Sequence, residues 1–232
     1  MNIKKKAAFY WSGGKDSALS LQKIFNENEY DVVSLITSLN EETHKSSVHS
    51  IPLEFLKKQA DSIGLPLYSV LFAKDLKNYD QKTNEITNYF RNKSVTHFIF
   101  GDIFSEMIAY RENKFNPLGI QVVEPLAHKT SEEIMEEYLK SGIKTKIIVT
   151  LADKLDRTYI GKDLDEDLIK LLPENIDICG ENGEYHTVSY GGNIFKKEII
   201  FSLGEIHKIS YDITLDNGKI NSFEYWQAEI II

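Results

Sequence analysis

The sequence predicts an α/β fold: a parallel β-sheet sandwiched by helices in the N-terminal half, then a smaller α+β domain ending in a β-hairpin. Three observations carry this. Short apolar runs alternate with amphipathic stretches of helical length, and strands separated in that way join through crossovers into a parallel sheet. The runs are nearly unbroken in their apolar character, as expected where both faces of a sheet are covered. The tail instead carries two long strand patterns around Asn217-Gly218, the strongest short hairpin signal.

Taken in order, Ala7-Ala8-Phe9-Tyr10-Trp11 reads as a buried strand and Asp16 to Asn28 as a helix, with Ala18, Leu21, Ile24 and Phe25 on one face. Val32 to Thr37 is a second strand. Ser50 is placed to cap a helix with Pro52 in its first turn; Leu53, Leu56, Ala60 and Ile63 share a stripe, and Gly64 stops it. Leu67 to Phe72 is a third strand, Asn78 to Asn92 a weaker helix and Thr96 to Gly101 a fourth strand. Thr130-Ser131-Glu132-Glu133 is a capping-box pattern before the apolar face Ile134, Met135, Tyr138 and Leu139, with Gly142 at its end. Lys146 to Val149 is another strand. Asp163 with Glu166 repeats the capping pattern before Leu164, Leu168 and Leu171, and Pro173 follows. Ile176-Asp177-Ile178 is strand-like. Ile206 to Leu215 and Ile220 to Ile231 flank Asp216-Asn217-Gly218-Lys219. A boundary near Pro125 divides residues 1–125 from 126–232 as closely apposed domains, with no internal repeat, low-complexity tract or long linker.

Composition bounds the function. Of 232 residues, 42% are hydrophobic and 27% charged, which excludes a disordered chain. No stretch approaches the roughly 18 uninterrupted apolar residues of a membrane span. The basic start, Met1 to Lys6, is followed by too short an apolar run for a signal-peptide core, so the expected address is cytoplasmic. A net charge of −8 and a pI near 5.3 argue against a nucleic-acid scaffold. They permit a small anionic ligand, because a few aimed backbone N–H groups hold a phosphate even in an acidic protein. The single cysteine, Cys179, excludes an internal disulfide and a cysteine-rich zinc site; a small buried apolar residue is favoured over a lone nucleophile.

Ligands of such sheets sit beyond the carboxyl ends of the strands, which directs attention to residues 12–17, 38–49 and 101–111. Ser12-Gly13-Gly14-Lys15-Asp16-Ser17 lies between the first strand and the first helix. Two glycines open backbone angles and space for a phosphate. The helix start adds unpaired N–H donors and a positive dipole end. Ser12 and Ser17 add hydroxyls and Lys15 a mobile positive charge. Asp16 suits this setting as a ligand for Mg²⁺ beside a polyphosphate. The alternative is a plain glycine turn with Asp16 as cap. It is not a Walker A loop, whose glycine spacing and terminal Lys-Ser/Thr pair are missing.

SGGKDS resembles the PP-loop of the N-type ATP pyrophosphatases, and with it their HUP-like (adenine nucleotide alpha hydrolase-like) fold. Those enzymes cut ATP between the α and β phosphates, and the loop holds the departing pyrophosphate. Further on, Gly101-Asp102-Ile103-Phe104-Ser105 with Arg111 is similar to the Gly-Ala-Ile-x-Ser…Arg stretch of the diphthine–ammonia ligase-like family (ATP-binding domain 4). Leu118-Gly119-Ile120, Glu124-Pro125-Leu126 and Ser141-Gly142-Ile143 continue the likeness. Cys179 to Thr187 is similar to that family's Glu-Gly-Gly-Glu-Tyr-Glu-Thr, with Asn182 where the family has Gly and His186 where it has Glu. The Glu-Asn-Gly-Glu-Tyr/Phe-His-Thr version resembles a bacterial-type branch. The likeness spans about residue 6 to about residue 198.

The resemblance implies Ser12 to Ser17, Ser38, His49 and Gly101 as nucleotide contacts, and Lys15, Asp16, Glu181 and Glu184 as catalytic. Ser105, Arg111, Glu181, Glu184, Tyr185 and Thr187 are the implied substrate residues; the alternatives are a helix cap for Ser105, a surface salt bridge for Arg111 and a surface or capping role for His49. Glu181 and Glu184 could bind ammonium, Mg²⁺ or a substrate's quaternary ammonium beside the Tyr185 face; a solvated acidic turn is the alternative. Diphthine carries such a trimethylammonium group.

The expected activity is an ATP-dependent amide-forming ligase. ATP adenylylates an acceptor carboxylate, which the resemblance puts on diphthine of a translation elongation factor or a related molecule, and free ammonia displaces AMP. The rest of the chain is too short for a glutaminase domain. The tail hairpin offers an edge for a homodimer. The rivals are nitrogen or sulfur transfer to another small molecule or to tRNA, a non-catalytic nucleotide sensor, and plain ATP hydrolysis to AMP. One cysteine and the acidic charge oppose transfer to tRNA; the Lys15-Asp16 pair opposes the sensor.

Overall fold

The computed structural model describes residues 3–46, 49–73, 75–214 and 220–232, with backbone alone for 212–214 and 220–221. The first part runs β1 (Lys5–Tyr10), α1 (Lys15–Glu27), β2 (Tyr30–Asn40), α2 (Leu53–Ile63), β3 (Leu67–Phe72), α3 (Tyr79–Arg91), β4 (His97–Ile99), α4 (Ser105–Phe115) and β5 (Gln121–Val123). All five strands pair in parallel in the order β3-β2-β1-β4-β5. The chain steps outward from β1 to β3, then crosses back to lay β4 on the other side of β1. The order therefore reverses between β1 and β4, where a crevice opens at the carboxyl ends.

Both faces of this sheet are covered. Ala8, Ile36, Val70 and Phe98 pack with Ile86 and Phe90 of α3 and Phe115 of α4 on one side. Phe9, Leu35 and Ile99 join Leu21 of α1 and Phe55 of α2 on the other. The expected stops hold: α1 ends on Asn28 and α2 on Gly64, both left-handed (φ 58° and 89°) with the cap N–H turned back to Ile24 and Ala60.

The second part runs α5 (Ser131–Ser141), β6 (Lys144–Leu151), α6 (Glu166–Leu171), β7 (Tyr185–Gly191), β8 (Ser202–Thr214) and β9 (Ile220–Ile231). Its sheet is antiparallel, in the order β7-β6-β9-β8. The capping box forms as expected: Thr130 Oγ1 accepts from the Glu133 N–H and the Glu133 carboxylate from the Thr130 N–H. β8 and β9 form the tail hairpin, while Asp216 to Lys219 lie outside the described residues.

Several local expectations are corrected. Pro52, not Ser50, holds the N-cap of α2, and Ser50 is left-handed at φ 52°. The α6 cap is Asp165, which accepts from the Leu168 N–H; Asp163 is occupied by Lys146 and Tyr190. Ile176 to Ile178 is a turn, because the Asp177 carboxylate draws the N–H groups of Cys179 and Glu181 onto itself. The strands β5 and β7 and the helix α4 add to the elements expected.

The two sheets share one apolar core. Phe9, Leu21 and Phe55 belong to the same cluster as Ile134, Ile147, Tyr185 and Val188. Gln22 of α1 donates to the Ser141 carbonyl of α5 at 3.1 Å, and Ser62 of α2 donates to the Lys197 carbonyl at 2.6 Å. β7 is thereby brought against the turn that follows β1.

Candidate active site

That turn is built from its neighbours inward. Trp11 leaves β1 and donates its indole N–H to Gln59 Oε1 at 2.8 Å. Gln59, fully buried, donates in turn to the Gly13 carbonyl (3.0 Å) and the Ser189 carbonyl (2.6 Å). Gly13 is left-handed at φ 87°, and a Cβ there would lie 2.8 Å from both Gln59 Oε1 and Ile51 Cδ1, so glycine is required. The Ser189 N–H donates to the Gly13 carbonyl at 2.8 Å and the Lys15 N–H to Thr187 Oγ1 at 3.0 Å, which locks the loop to β7. Ser12 Oγ donates to Ser17 Oγ, and Ser17 Oγ also contacts the Gly14 carbonyl, both at 3.1 Å. Gly14 offers α1 no side-chain cap of its own, but Thr187 Oγ1 takes the Lys15 N–H and Ser12 Oγ the Gly14 N–H (3.3 Å), so the donors left for a ligand in the first turn are the Asp16 and Ser17 N–H groups.

Lys15 is only 3% exposed. Its ammonium lies 2.6 Å from Asp16 Oδ1 and 3.8 Å from Glu181 Oε1. Burial works against the charge, but Asp16, Cys179 and Glu181 together hold its pKa above the ordinary lysine value. Glu181 moves the same way for the opposite reason. Burial, then Asp16, push its carboxyl up to about 7 against the pull of Lys15, with Asp177 and Asp102 adding to the rise.

A cavity of about 440 Å³ opens over this group at the β1/β4 crevice. Ser12, Lys15, Asp16 and Ser17 line its floor, and Ser38 and His49 line it from the β2 side. Gly101, just after β4, and Arg111 of α4 line it from one side; Glu181 from the turn before β7 and Tyr185 and Thr187 of β7 line it from the other. A Cβ on Gly101 would meet the Asp16 backbone at 3.2 Å, so glycine lets β4 close on the first turn of α1. Gly13 and Gly14 shape the loop from behind. Ser105 stands outside the cavity wall, exposed, with its hydroxyl on Glu106.

Glu184 lies beneath the wall rather than in it. It is 3% exposed; Oε1 accepts from the Asp177 N–H and the Asn182 side chain, and Oε2 from the Asn182 N–H. It holds the turn that presents Glu181. The Tyr185 hydroxyl donates to the Ile178 carbonyl and braces the same turn. Cys179 lines the cavity, yet burial pushes its thiol up to about 12, and it donates to the Ser131 carbonyl at 3.1 Å. This is a packed thiol, not a nucleophile.

Three further residues belong to the site. Asp102 pairs with Arg111 (Nε to Oδ2, 2.9 Å), whose guanidinium lies 4.7 Å from the Phe100 ring centre. The Asp102 N–H donates to Glu124 Oε2 at 3.1 Å, and burial followed by the Asp102 charge pushes Glu124 up to about 8. Gln59 was hidden as a polar residue among the apolar positions of α2. Asp102 and Glu124 appear within the quoted motifs but carried no spacing signal of their own.

For Mg²⁺ the donor set is sparse. Among the described residues no group of three or more His, Cys, Asp and Glu is arranged to hold a metal. One carboxylate plus substrate phosphates is the usual mode for this ion, and Asp16 at the loop fits it. No helix among the described residues is long and apolar enough to cross a membrane.

Residues 5–122 match the family model described as the diphthamide synthase N-terminal domain, and residues 130–220 match the corresponding C-terminal domain. The chain is 29% identical over 224 residues to a protein of Schizosaccharomyces pombe named diphthine–ammonia ligase, covering 84% of this chain and 36% of that one. The Homo sapiens protein of that name is 34% identical over 112 residues, covering 46% and 42%. The one from Mus musculus is 26% identical over 219 residues, covering 84% and 82%. The chain thus spans well under half the length of the first two.

Proposed function

The chain belongs to the diphthamide synthase family, and from that premise we propose that it is an ATP-dependent ligase that joins ammonia to an acceptor carboxylate, releasing AMP and pyrophosphate. The acceptor is diphthine or a related carboxylate. The observation that carries this reading is Lys15, buried at the floor of the crevice between Asp16 and Glu181, in the first turn of α1.

A carboxylate is a poor electrophile because oxide is a poor leaving group. Attack of its oxygen on the α-phosphorus forms an acyl-adenylate as the bond to pyrophosphate breaks. In this reading the N–H groups of the loop and the Ser12 and Ser17 hydroxyls take the β and γ phosphates. Lys15 turns from Asp16 toward them as charge builds on the leaving pyrophosphate. Asp16 would hold Mg²⁺, which when bound would neutralise phosphate charge. Arg111, stacked on Phe100, faces the cavity as a second cation for the nucleotide or the acceptor carboxylate.

Glu181 then serves the second half-reaction. Its carboxyl, poised near neutrality, accepts the proton that leaves nitrogen as ammonia bonds to the acyl carbon and AMP departs with its electron pair. Glu184 is a positioning residue: it holds the Glu181 turn from below. The packed thiol of Cys179 speaks against sulfur transfer through this cysteine.

The test is incubation of the whole protein with ATP, Mg²⁺, ammonium and a panel of carboxylates that includes diphthine. Stoichiometric AMP, pyrophosphate and amide are expected with one of them. Tight ATP binding with no AMP for any acceptor would favour a sensor, and AMP formation indifferent to the acceptor would favour plain hydrolysis.

A further inference from the structure

Two imidazoles of the cavity wall stand outside this mechanism. The rings of His49 and His186 lie 4.9 Å apart at their centres, tilted by 46°, and both face the cavity. The histidine hydrogen bonds to side chains among the described residues belong to His97 and His207, and the ring nitrogens of His49 and His186 have none there. Two partly buried imidazoles with no hydrogen-bond partner among the described residues leave N–H donors for whatever fills the space.

Their positions are fixed from two sides. His186 precedes Thr187, whose hydroxyl takes the Lys15 N–H. His49 arrives from the connection after β2 and packs on the loop so closely that a Cβ on Gly14 would fall 2.7 Å from its Nε2. The pair therefore stands where the β2 wall, with Ile36, Thr37 and Ser38, meets the loop. If the loop takes the tail of a triphosphate and the β2 wall its nucleoside, the phosphate at that junction is the innermost one. Both rings stay neutral at physiological pH. Burial, then Lys15, lowers His49 to about 4; burial, then His49 and Lys15, lowers His186 to about 3, against Asp16 and Glu184.

We propose that His186 is a catalytic residue that donates its ring N–H to a non-bridging oxygen of the α-phosphate, and that His49 is the positioning residue that holds it there. The inference rests on the adenylating reading above. As the carboxylate oxygen bonds to the α-phosphorus and the bond to pyrophosphate breaks, negative charge grows on the non-bridging oxygens. A neutral donor stabilises that charge without exchanging a proton, and Lys15 remains the cation for the leaving group.

The test uses His186→Leu and His186→Gln, the second of which keeps a neutral N–H donor. It reads AMP formation, affinity for α,β-methylene-ATP, and the imidazole ¹⁵N resonances of the wild-type protein with α,β-methylene-ATP or with pyrophosphate alone. Leucine is expected to lower AMP formation roughly a hundredfold and glutamine roughly tenfold or less, with nucleotide affinity within about threefold of wild type in both. The His186 resonances should move with the methylene analogue and stay in place with pyrophosphate. Equal rates for leucine and wild type, loss of nucleotide affinity in both variants, or a shift produced by pyrophosphate alone would each overturn the assignment. If the wild-type protein makes no AMP with any acceptor, the ligase reading fails. The resonance experiment still decides whether His186 meets the innermost phosphate.

Discussion

Replacing Glu181 by Gln should raise stability and lower activity together, and the two effects have separable magnitudes. Burial and three acidic neighbours push this carboxyl from 4.5 to about 7 although Lys15 stands 3.8 Å away. Between those values the folded chain keeps a proton that the unfolded chain has released, so stability falls as pH rises through the window and the loss is complete above it. At about 1.4 kcal/mol for each pH unit, the loss at pH 8 is roughly 3 kcal/mol. The side chain is 16% exposed, which leaves little solvent screening to discount. Glutamine is neutral at every pH and removes the loss. For a chain of this size, about 2–4 °C per kcal/mol translates into a rise in Tm of roughly 6–12 °C at pH 8. At pH 4 the two proteins should melt together. Scanning calorimetry at the two pH values reads this directly. A variant no more stable than wild type at pH 8 would refute the argument that burial and the acidic neighbours together outweigh Lys15. In the same variant amide formation should fall roughly a hundredfold while ATP–pyrophosphate exchange persists, and the wild-type rate should rise through pH 7 to a plateau. Undiminished amide formation would remove Glu181 as proton acceptor.

Three further expectations follow from the loop and its supports. Lys15→Met keeps the packing but removes the charge, and AMP formation should fall roughly a hundredfold, about 3 kcal/mol, with the far-UV circular dichroism unchanged; equal activity would exclude the loop lysine from the reaction. Gly13→Ala forces a side chain into a left-handed position with contacts at 2.8 Å. Strain of about 1–2 kcal/mol and overpacking of about 1–3 kcal/mol predict a loss of roughly 2–5 kcal/mol in urea unfolding, and an unchanged midpoint would contradict it. Glu184→Gln should weaken the charge-assisted bonds beneath the turn by about 1–3 kcal/mol, sparing ATP affinity and impairing acceptor-dependent turnover; weakened ATP binding alone would argue for a direct nucleotide contact.

Much of the fold was legible because it is written in local pattern. The apolar runs of β1 to β4, the stripe of α2 and the Thr130–Glu133 capping box each need only neighbours in sequence to be recognised. What escaped was set by distant partners. β5 is three residues long, and among the described residues β4 alone pairs with it, so no window of pattern announces it. Helix α4 buries only Phe115, which leaves its apolar periodicity faint. Asp163 looked like a helix cap by spacing; Lys146 and Tyr190, brought up by the second sheet, occupy it instead. At the site, residue types pointed to the loop and to the second motif, but not to which carboxylate faces the cavity. Glu181 and Glu184 stand three apart around Gly183, and only the bonds from Asp177 and Asn182 show that the second is turned inward as a support.

The same long-range logic explains why two motifs so far apart in the chain form one working unit. A glycine loop at a helix start needs its backbone held still if its N–H groups are to stay aimed at a ligand. Here the holding atoms come from elsewhere: Gln59 from α2, and Thr187 and Ser189 from β7, which bond the Lys15 N–H and the Gly13 carbonyl directly. The strand that carries Thr187 and Ser189 also carries Tyr185 and His186, and the turn before it presents Glu181 to Lys15. A shift of β7 by one residue would replace Thr187 with His186 or Val188 against the loop, losing the loop's brace and the acceptor-side wall at once. Register between the two sheets is thus a requirement of the chemistry as well as of the core, and the shared apolar cluster from Phe9 to Val188 supplies it.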